Sequence, residues 1–133
     1  AEGLAGKIIG VQASTVHEAY VNKYFAPTAA EVKVYQTQDE ANQDLAAGRI
    51  DATQADSIAL DAFLATDAGK ACCELKGAVA DDPAILGLGV GAGVRKGDDA
   101  LKAKLNAAIA AIIADGTYDA ITKNYFASSI YGG

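Results

Sequence analysis

Hydrophobic and polar positions fall into three strand–helix units over the first half of the chain. Lys7–Gln12 is a short apolar run bounded by Gly6 and Ala13-Ser14, the pattern of a strand buried on both faces. Val16 to Phe25 then carries Val16, Tyr20, Val21 and Tyr24 at helical spacing until Pro27 stops it. Glu31–Tyr35 alternates and predicts a second strand. Gln38 to Ala47 predicts a helix with Asp39 and Glu40 in its first turn, where negative charge suits the dipole, and with Gly48 as its stop. Ile50–Gln54 predicts a third strand, and Ser57–Leu64 a third helix that turns Ile58, Phe63 and Leu64 inward. This alternation predicts an α/β fold with a mainly parallel sheet and helices on both faces.

Past Asp67 the pattern loosens. Glu74–Ala80 predicts one more strand before a turn at Asp81-Asp82-Pro83. Leu86–Val94 reads as extended, with glycine at every second place from Gly87 to Gly93, which permits a bend or the close approach of another backbone. It lacks the G-x-x-x-x-G-K-[ST] spacing, so it is not a phosphate loop. Asp98–Ala114 is the longest helix, with Leu101, Leu105, Ile109, Ile112 and Ile113 on one stripe. Gly116 breaks it, and Thr117–Phe126 predicts a final helix carrying Tyr118, Ile121 and Tyr125.

Length and composition narrow the class. The 133 residues give room for one compact domain with a real core, and 51% hydrophobic with 21% charged residues is a globular balance. A net charge of −6 without a cluster of Lys and Arg argues against a nucleic-acid surface. The apolar stretches, such as Ala107–Ala114, are too short to cross a bilayer and no leader pattern opens the chain, so it reads as a soluble, mature or trimmed protein. Cys72 and Cys73 are adjacent and cannot form a disulfide framework, and they read as small packing residues at a helix-to-strand junction. With one histidine and no C-x-x-C, neither a metal site nor a cofactor is expected.

The candidate chemistry sits where strands end. Ser14 and Thr15 stand at the start of the first helix, where unpaired N–H groups and the positive end of the dipole make an anion site. The third strand leads into a carboxylate, Asp56, suited to a cation. Together they suit a free α-amino acid, which carries both charges on one carbon. Each residue also has a plainer role: Ser14 and Thr15 as helix N-caps, Asp56 as cap of the helix at Ser57. His17, the single histidine, either lines a cleft or faces solvent; no Ser or Cys nucleophile is placed to use it, so no catalytic residue is assigned.

Five separated motifs carry a resemblance: Gly6-Lys-Ile-Ile-Gly-Val-Gln12, Tyr35-Gln-Thr-Gln-Asp-Glu40, Asp44-Leu-Ala-Ala-Gly-Arg-Ile-Asp-Ala52, Val94-Arg-Lys-Gly-Asp98, and Ala114-Asp-Gly-Thr-Tyr-Asp119 with the ending Asn124-Tyr-Phe…Ile-Tyr-Gly-Gly133. Over essentially its whole length the chain resembles the polar amino-acid-binding proteins of bacterial ABC importers, above all the lysine/arginine/ornithine- and histidine-binding members, with the opine-binding ones near them. The resemblance implies a type II periplasmic-binding-protein-like lobe: residues 1–85 as the second lobe, and 86–133 as the return crossing strand plus C-terminal helices that pack on a first lobe missing here. It implies an extracytoplasmic, periplasmic receptor, not an enzyme, that hands a polar, basic amino acid or opine to the importer's permease. A ligand-sensing domain of a signalling protein and an amino-acid dehydratase share the fold and are the alternatives.

The resemblance also implies site residues. The loop Ser14, Thr15, Val16, His17 would give backbone N–H and hydroxyl groups to the ligand α-carboxylate, and Asp56 would take the α-ammonium. Where the relatives often carry two threonines and a glutamine, this chain has Thr15, Val16 and His17. A backbone contact survives Val16, but a hydroxyl bond does not. Without the first lobe, the apolar stripe of the longest helix needs a substitute surface, either a homodimer through the C-terminal helices or the chain's own sheet.

Overall fold

The computed structural model describes residues 2–87, 89–126 and 130–131. After a short 3-10 turn at Glu2–Leu4, β1 (Ile8–Gln12) becomes the centre of a three-stranded sheet of order β2-β1-β3. Both β2 (Glu31–Tyr35) and β3 (Ala52–Thr53) run parallel to it. Ile8 stands opposite Glu31, Gln12 opposite Tyr35, and Gly10 opposite Thr53. The Thr53 hydroxyl ties the β1–β3 seam by donating to the Gly10 carbonyl at 2.9 Å.

Helix α1 (Val16–Tyr24) joins β1 to β2, and α2 (Gln38–Ala46) carries the chain from β2 past β1 to β3. These crossovers run in opposite directions along the sheet, so right-handed connections put their helices on opposite faces. The packing of β1 agrees. Ile9 and Val11 are buried with Tyr20, Val21 and Phe25 from α1 and its C-cap. Gly10, which points to the other face, would bring an added Cβ within 2.5 Å of Ile50 Cδ1 and 3.6 Å of the Ala41 Cβ on α2. Glycine at this place lets the second layer close on the strand.

The expected Gly48 stop ends α2, while its start carries a cap the pattern reading did not name. Thr37 and Glu40 form a reciprocal capping box at its start. At its end Gly48 takes φ +70, and the N–H groups of Gly48 and Arg49 return to Leu45 and Asp44 carbonyls. Asp44 also accepts hydrogen bonds from Lys33, Tyr35 and Arg49 at 2.6–2.8 Å, joining α2 to β2 and to the chain leaving the helix. The Arg49 guanidinium, with Lys33 and Tyr35, holds its carboxyl well below the usual carboxylate range.

The structure departs from expectation past residue 56. Helix α3 (Ser57–Leu64) forms, but Ile58 is exposed while Phe63 and Leu64 are only half-buried. The sequence pattern missed α4 (Asp67–Cys72), capped by the Thr66 hydroxyl and packed against α3 through the buried Gly69. The strand expected at 74–80 does not form: Gly77 at φ +120 interrupts extended backbone, and Glu74 and Lys76 pair with each other in solvent. The Asp81-Asp82-Pro83 turn opens α5 (Pro83–Leu86), with the Asp82 side chain as N-cap and proline in the first turn. So Leu86 ends a helix and does not start an extended run. Residues 89–94 join no sheet, and Leu88 lies outside the described residues.

Cys72 and Cys73 also depart from the expected free packing residues, since their sulfurs are bonded to each other. Cys72 is the last residue of α4 and Cys73 is already extended, and adjacency there brings the sulfurs together.

Two compact units divide the chain, Ala1–Leu88 and Gly89–Gly133. The second contains α6 (Asp99–Ala114) and α7 (Thr117–Thr122), separated by Gly116 in the left-handed conformation. Helix α7 is shorter than the pattern suggested, as Tyr125 and Phe126 turn their N–H groups back to Thr122. No described residue of either helix is buried; Val90, Ala92 and Val94 share a groove of about 190 Å³ with Lys102, Leu105 and Ile109 of α6.

The depressed Asp44 carboxyl gives the fold a predictable acid response. A carboxyl held low in the folded state contributes stability that is present above its unfolded-state range and is lost as pH falls through the folded one. Urea unfolding at neutral pH and near pH 3 should therefore show a smaller acid-induced loss in Asp44→Asn than in the wild type. Equal losses would mean that the cluster does not couple to folding.

Candidate functional site

Because β1 and β3 are parallel neighbours, their carboxyl ends emerge side by side, and two turns issue from them: 13–15 into α1 and 54–56 into α3. Crevices outside the carboxyl ends of strands are where open α/β folds bind ligands.

The first turn is held by its own side chains. The Ala13 N–H donates to the Tyr35 carbonyl at 2.8 Å, which ties the turn to the end of β2. Thr15 is the N-cap of α1; its hydroxyl donates to Gln12 O at 2.8 Å and accepts from Glu18 N–H at 3.2 Å. The Glu18 carboxylate reaches back to accept the Ser14 N–H at 2.6 Å. This leaves the N–H groups of Val16 and His17, in the first turn of the helix, without a hydrogen-bond partner among the described residues. Free first-turn N–H groups at the positive end of a dipole form an anion site. Of the two expected caps, Thr15 does the capping. Ser14 instead makes the turn, at φ +60, the only positive φ outside glycine among the described residues.

Asp56 stands at the N-cap position of α3, yet its side chain makes no capping bond. Its side chain is 83% exposed. The His17 imidazole is near it, with Nε2 3.5 Å from Oδ1. That contact shows that the helix start after β1 and the carboxylate after β3 face each other at one place. The His17 side chain is only 15% exposed, so it does not face solvent. Of the five sequence-predicted residues, Val16, His17 and Asp56 offer free groups here, Thr15 supports them, and Ser14 shapes the turn.

Gln54, just past β3, was not singled out by its sequence context. Both polar atoms of its carboxamide are buried without a partner, as is Nδ1 of His17. No sequence signal marks it, since glutamine after a short strand is ordinary; the signal is the unsatisfied amide. On the far side of α1, Lys23 and Tyr24 donate to Asp82, and Lys23 holds that carboxyl below its usual range. The Tyr20 hydroxyl donates to Ala80 O, so these tyrosines fasten the approach to α5. Among the described residues no cluster of His, Cys, Asp or Glu could hold a metal ion, and no helix is long and apolar enough to cross a membrane.

The family model for bacterial extracellular solute-binding proteins, family 3, matches residues 6–128. The L-arginine-binding protein of Pseudomonas aeruginosa is 45% identical over 130 residues, 97% of this chain and 50% of that protein. The histidine-binding periplasmic protein of Escherichia coli K12 is 41% identical, covering 99% of this chain and 51% of its own length. The ABC transporter arginine-binding protein 1 of the same strain is 38% identical over 92% of this chain and 49% of its length. The chain thus spans about half the length of the curated relatives it matches.

The left-handed Ser14 yields a test of the turn. A non-glycine residue there is strained by roughly 1–2 kcal/mol. Ser14→Gly should raise the melting temperature slightly or leave it unchanged, whereas Ser14→Val should lower it. A stabilising Ser14→Val would mean that this turn is not left-handed in solution.

Proposed function

The chain belongs to family 3 of the bacterial extracellular solute-binding proteins, and we propose that it is the second lobe and C-terminal tail of a two-lobed receptor for a polar amino acid. The observation that carries this reading is Asp56: a carboxylate at a helix N-cap position that caps nothing, exposed beside the free N–H groups of α1. The α-carboxylate of the ligand takes the Val16 and His17 N–H groups, with the α1 dipole behind them. Its α-ammonium takes Asp56. This pair of contacts fits what all α-amino acids share, and a charge-assisted bond of about 1.5–3 kcal/mol anchors the ligand without choosing its side chain.

The names of the relatives favour a basic amino acid, arginine above all, with histidine behind it. The receptor works in the periplasm and delivers its ligand to the permease of an ABC importer. That the relatives are named as binding proteins supports a receptor that releases its ligand unchanged. Residues 1–85 supply the anchors, and residues 86–133 form the part that returns to the first lobe, which completes the cleft and closes on the ligand.

In the two-lobed protein that carries this chain, Asp56→Asn should weaken every amino-acid ligand by a similar factor, about tenfold to a hundredfold, and leave their order unchanged. Calorimetric titration with arginine, lysine, ornithine, histidine and an opine reads this directly. A change in which ligand is preferred would place Asp56 at the side chain, and undiminished affinity would reject the assignment.

A further inference from the structure

Cys72 and Cys73 carry chemistry that the binding reading leaves unused. Their bond joins neighbours in sequence, and a disulfide stabilises a fold chiefly by closing a long loop of the unfolded chain. A ring over two adjacent residues closes almost none, so this bond contributes little to holding the fold together. It is also within reach of other molecules, since Cys72 is exposed and Cys73 half-buried. Exposed disulfides are the labile and regulatory ones.

The bond decides where α4 ends. Adjacent side chains on a helix leave the axis about 100° apart, which keeps their Cβ atoms beyond the roughly 3.8 Å that a disulfide needs. The two cysteines cannot both be helical while the bond is closed. Accordingly Cys72 is the last residue of α4 and Cys73 has turned to φ −142, ψ 159, with its N–H still returned to Gly69 O at 3.0 Å. The sequence asks for no stop there. Cys73-Glu-Leu-Lys76 contains three strong helix formers, and Lys76 followed by Gly77 is an ordinary helix ending, with the cation in the last turn and the glycine already at positive φ, +120. Packing does not hold 73–76 extended either: the segment forms no strand, Leu75 is 49% exposed, and Glu74 and Lys76 pair in solvent. The first fixed points beyond it are Val79, which packs on the core, and Ala80, whose carbonyl accepts from the Tyr20 hydroxyl.

We propose that the Cys72–Cys73 disulfide is a redox-controlled stop for α4: closed, it ends the helix at Cys72, and opened, it lets the helix run on to Lys76 with Gly77 as the new stop. The reductant is a dithiol. One of its thiolates attacks a sulfur of the pair and forms a mixed disulfide, the other cysteine leaves as a thiolate and takes a proton, and the second thiolate of the reductant then displaces the first cysteine, which is protonated in turn. Two electrons and two protons pass to the chain, which ends with two thiols, while the reductant ends as a disulfide. The Cys72 thiol then has an acceptor at hand in the Gly69 carbonyl, 3.7 Å from its sulfur.

The test uses the two-lobed protein that carries this chain, with dithiothreitol as the reductant. Mass spectrometry of alkylated peptides reads Cys72 and Cys73, and carbon-13 Cα shifts read residues 73–76. Dithiothreitol should open the pair without denaturant, and in the same titration the Cα shifts of residues 73–76 should move to helical values and return on reoxidation. The double variant Cys72→Ser, Cys73→Ser should show helical shifts there with no reductant present. Glu74→Pro should open as readily and stay non-helical, because Cys73 already has the extended backbone that a residue before proline adopts. A pair that opens only under unfolding conditions, or that opens with the 73–76 shifts unchanged, overturns the proposal. So does a double variant whose shifts match those of the oxidised protein.

Discussion

The central place of β1 between two parallel partners is the constraint on which the rest depends. A strand paired on both edges and covered on both faces has to be apolar, and Ile9 and Val11 are accordingly among the largest fully buried side chains. Gly10 lets the second helix layer approach on the opposite face. The same order sends the chain to one side of β1 through α1 and back across it through α2, so the carboxyl ends of β1 and β3 lie together. The site is a consequence of that return. With β3 elsewhere in the sheet, the helix start at Thr15 and the carboxylate of Asp56 would not face each other.

Charge is distributed by the same logic. Asp44 and Asp82 are each surrounded by donors, Asp44 fastening α2 to β2 and Asp82 fastening α5 to α1, and Arg49 in one case and Lys23 in the other hold them below the usual carboxylate range. Asp56 has no such surroundings. The one ion-pair-range contact of its carboxylate among the described residues is the His17 imidazole, with Nε2 at 3.5 Å. Asp44 and Asp82 are thus consumed by hydrogen bonds of the fold, and Asp56 is not.

Sequence pattern located the first three strand–helix units because most boundaries carry a local chemical cause: Thr15 as a cap, Asp39 and Glu40 in a first turn, Pro27 and Gly48 as stops, and alternation through Glu31–Tyr35. It failed over much of the stretch from Asp67 to Val94, where the apolar residues follow no period and tertiary contacts decide. Val79 packs on the core from irregular backbone, and Ile85 and Leu86 do so from a single helical turn. The adjacent cysteines were read by their usual packing habit, which the bond between them overrides. At the site, residue types were legible and roles were not. Thr15 and Asp56 are both good caps by composition, but only Thr15 caps; the left-handed Ser14 and the unsatisfied Gln54 amide leave no trace in a one-dimensional pattern.

The most direct test of the central claim is a crystal structure of the two-lobed protein carrying this chain with L-arginine bound. The account predicts the α-carboxylate on the N–H groups of Val16 and His17 and the α-ammonium on Asp56, with His17 still in contact with that carboxylate. A ligand lying with its ammonium away from Asp56, or an Asp56 turned back to cap α3, would contradict it.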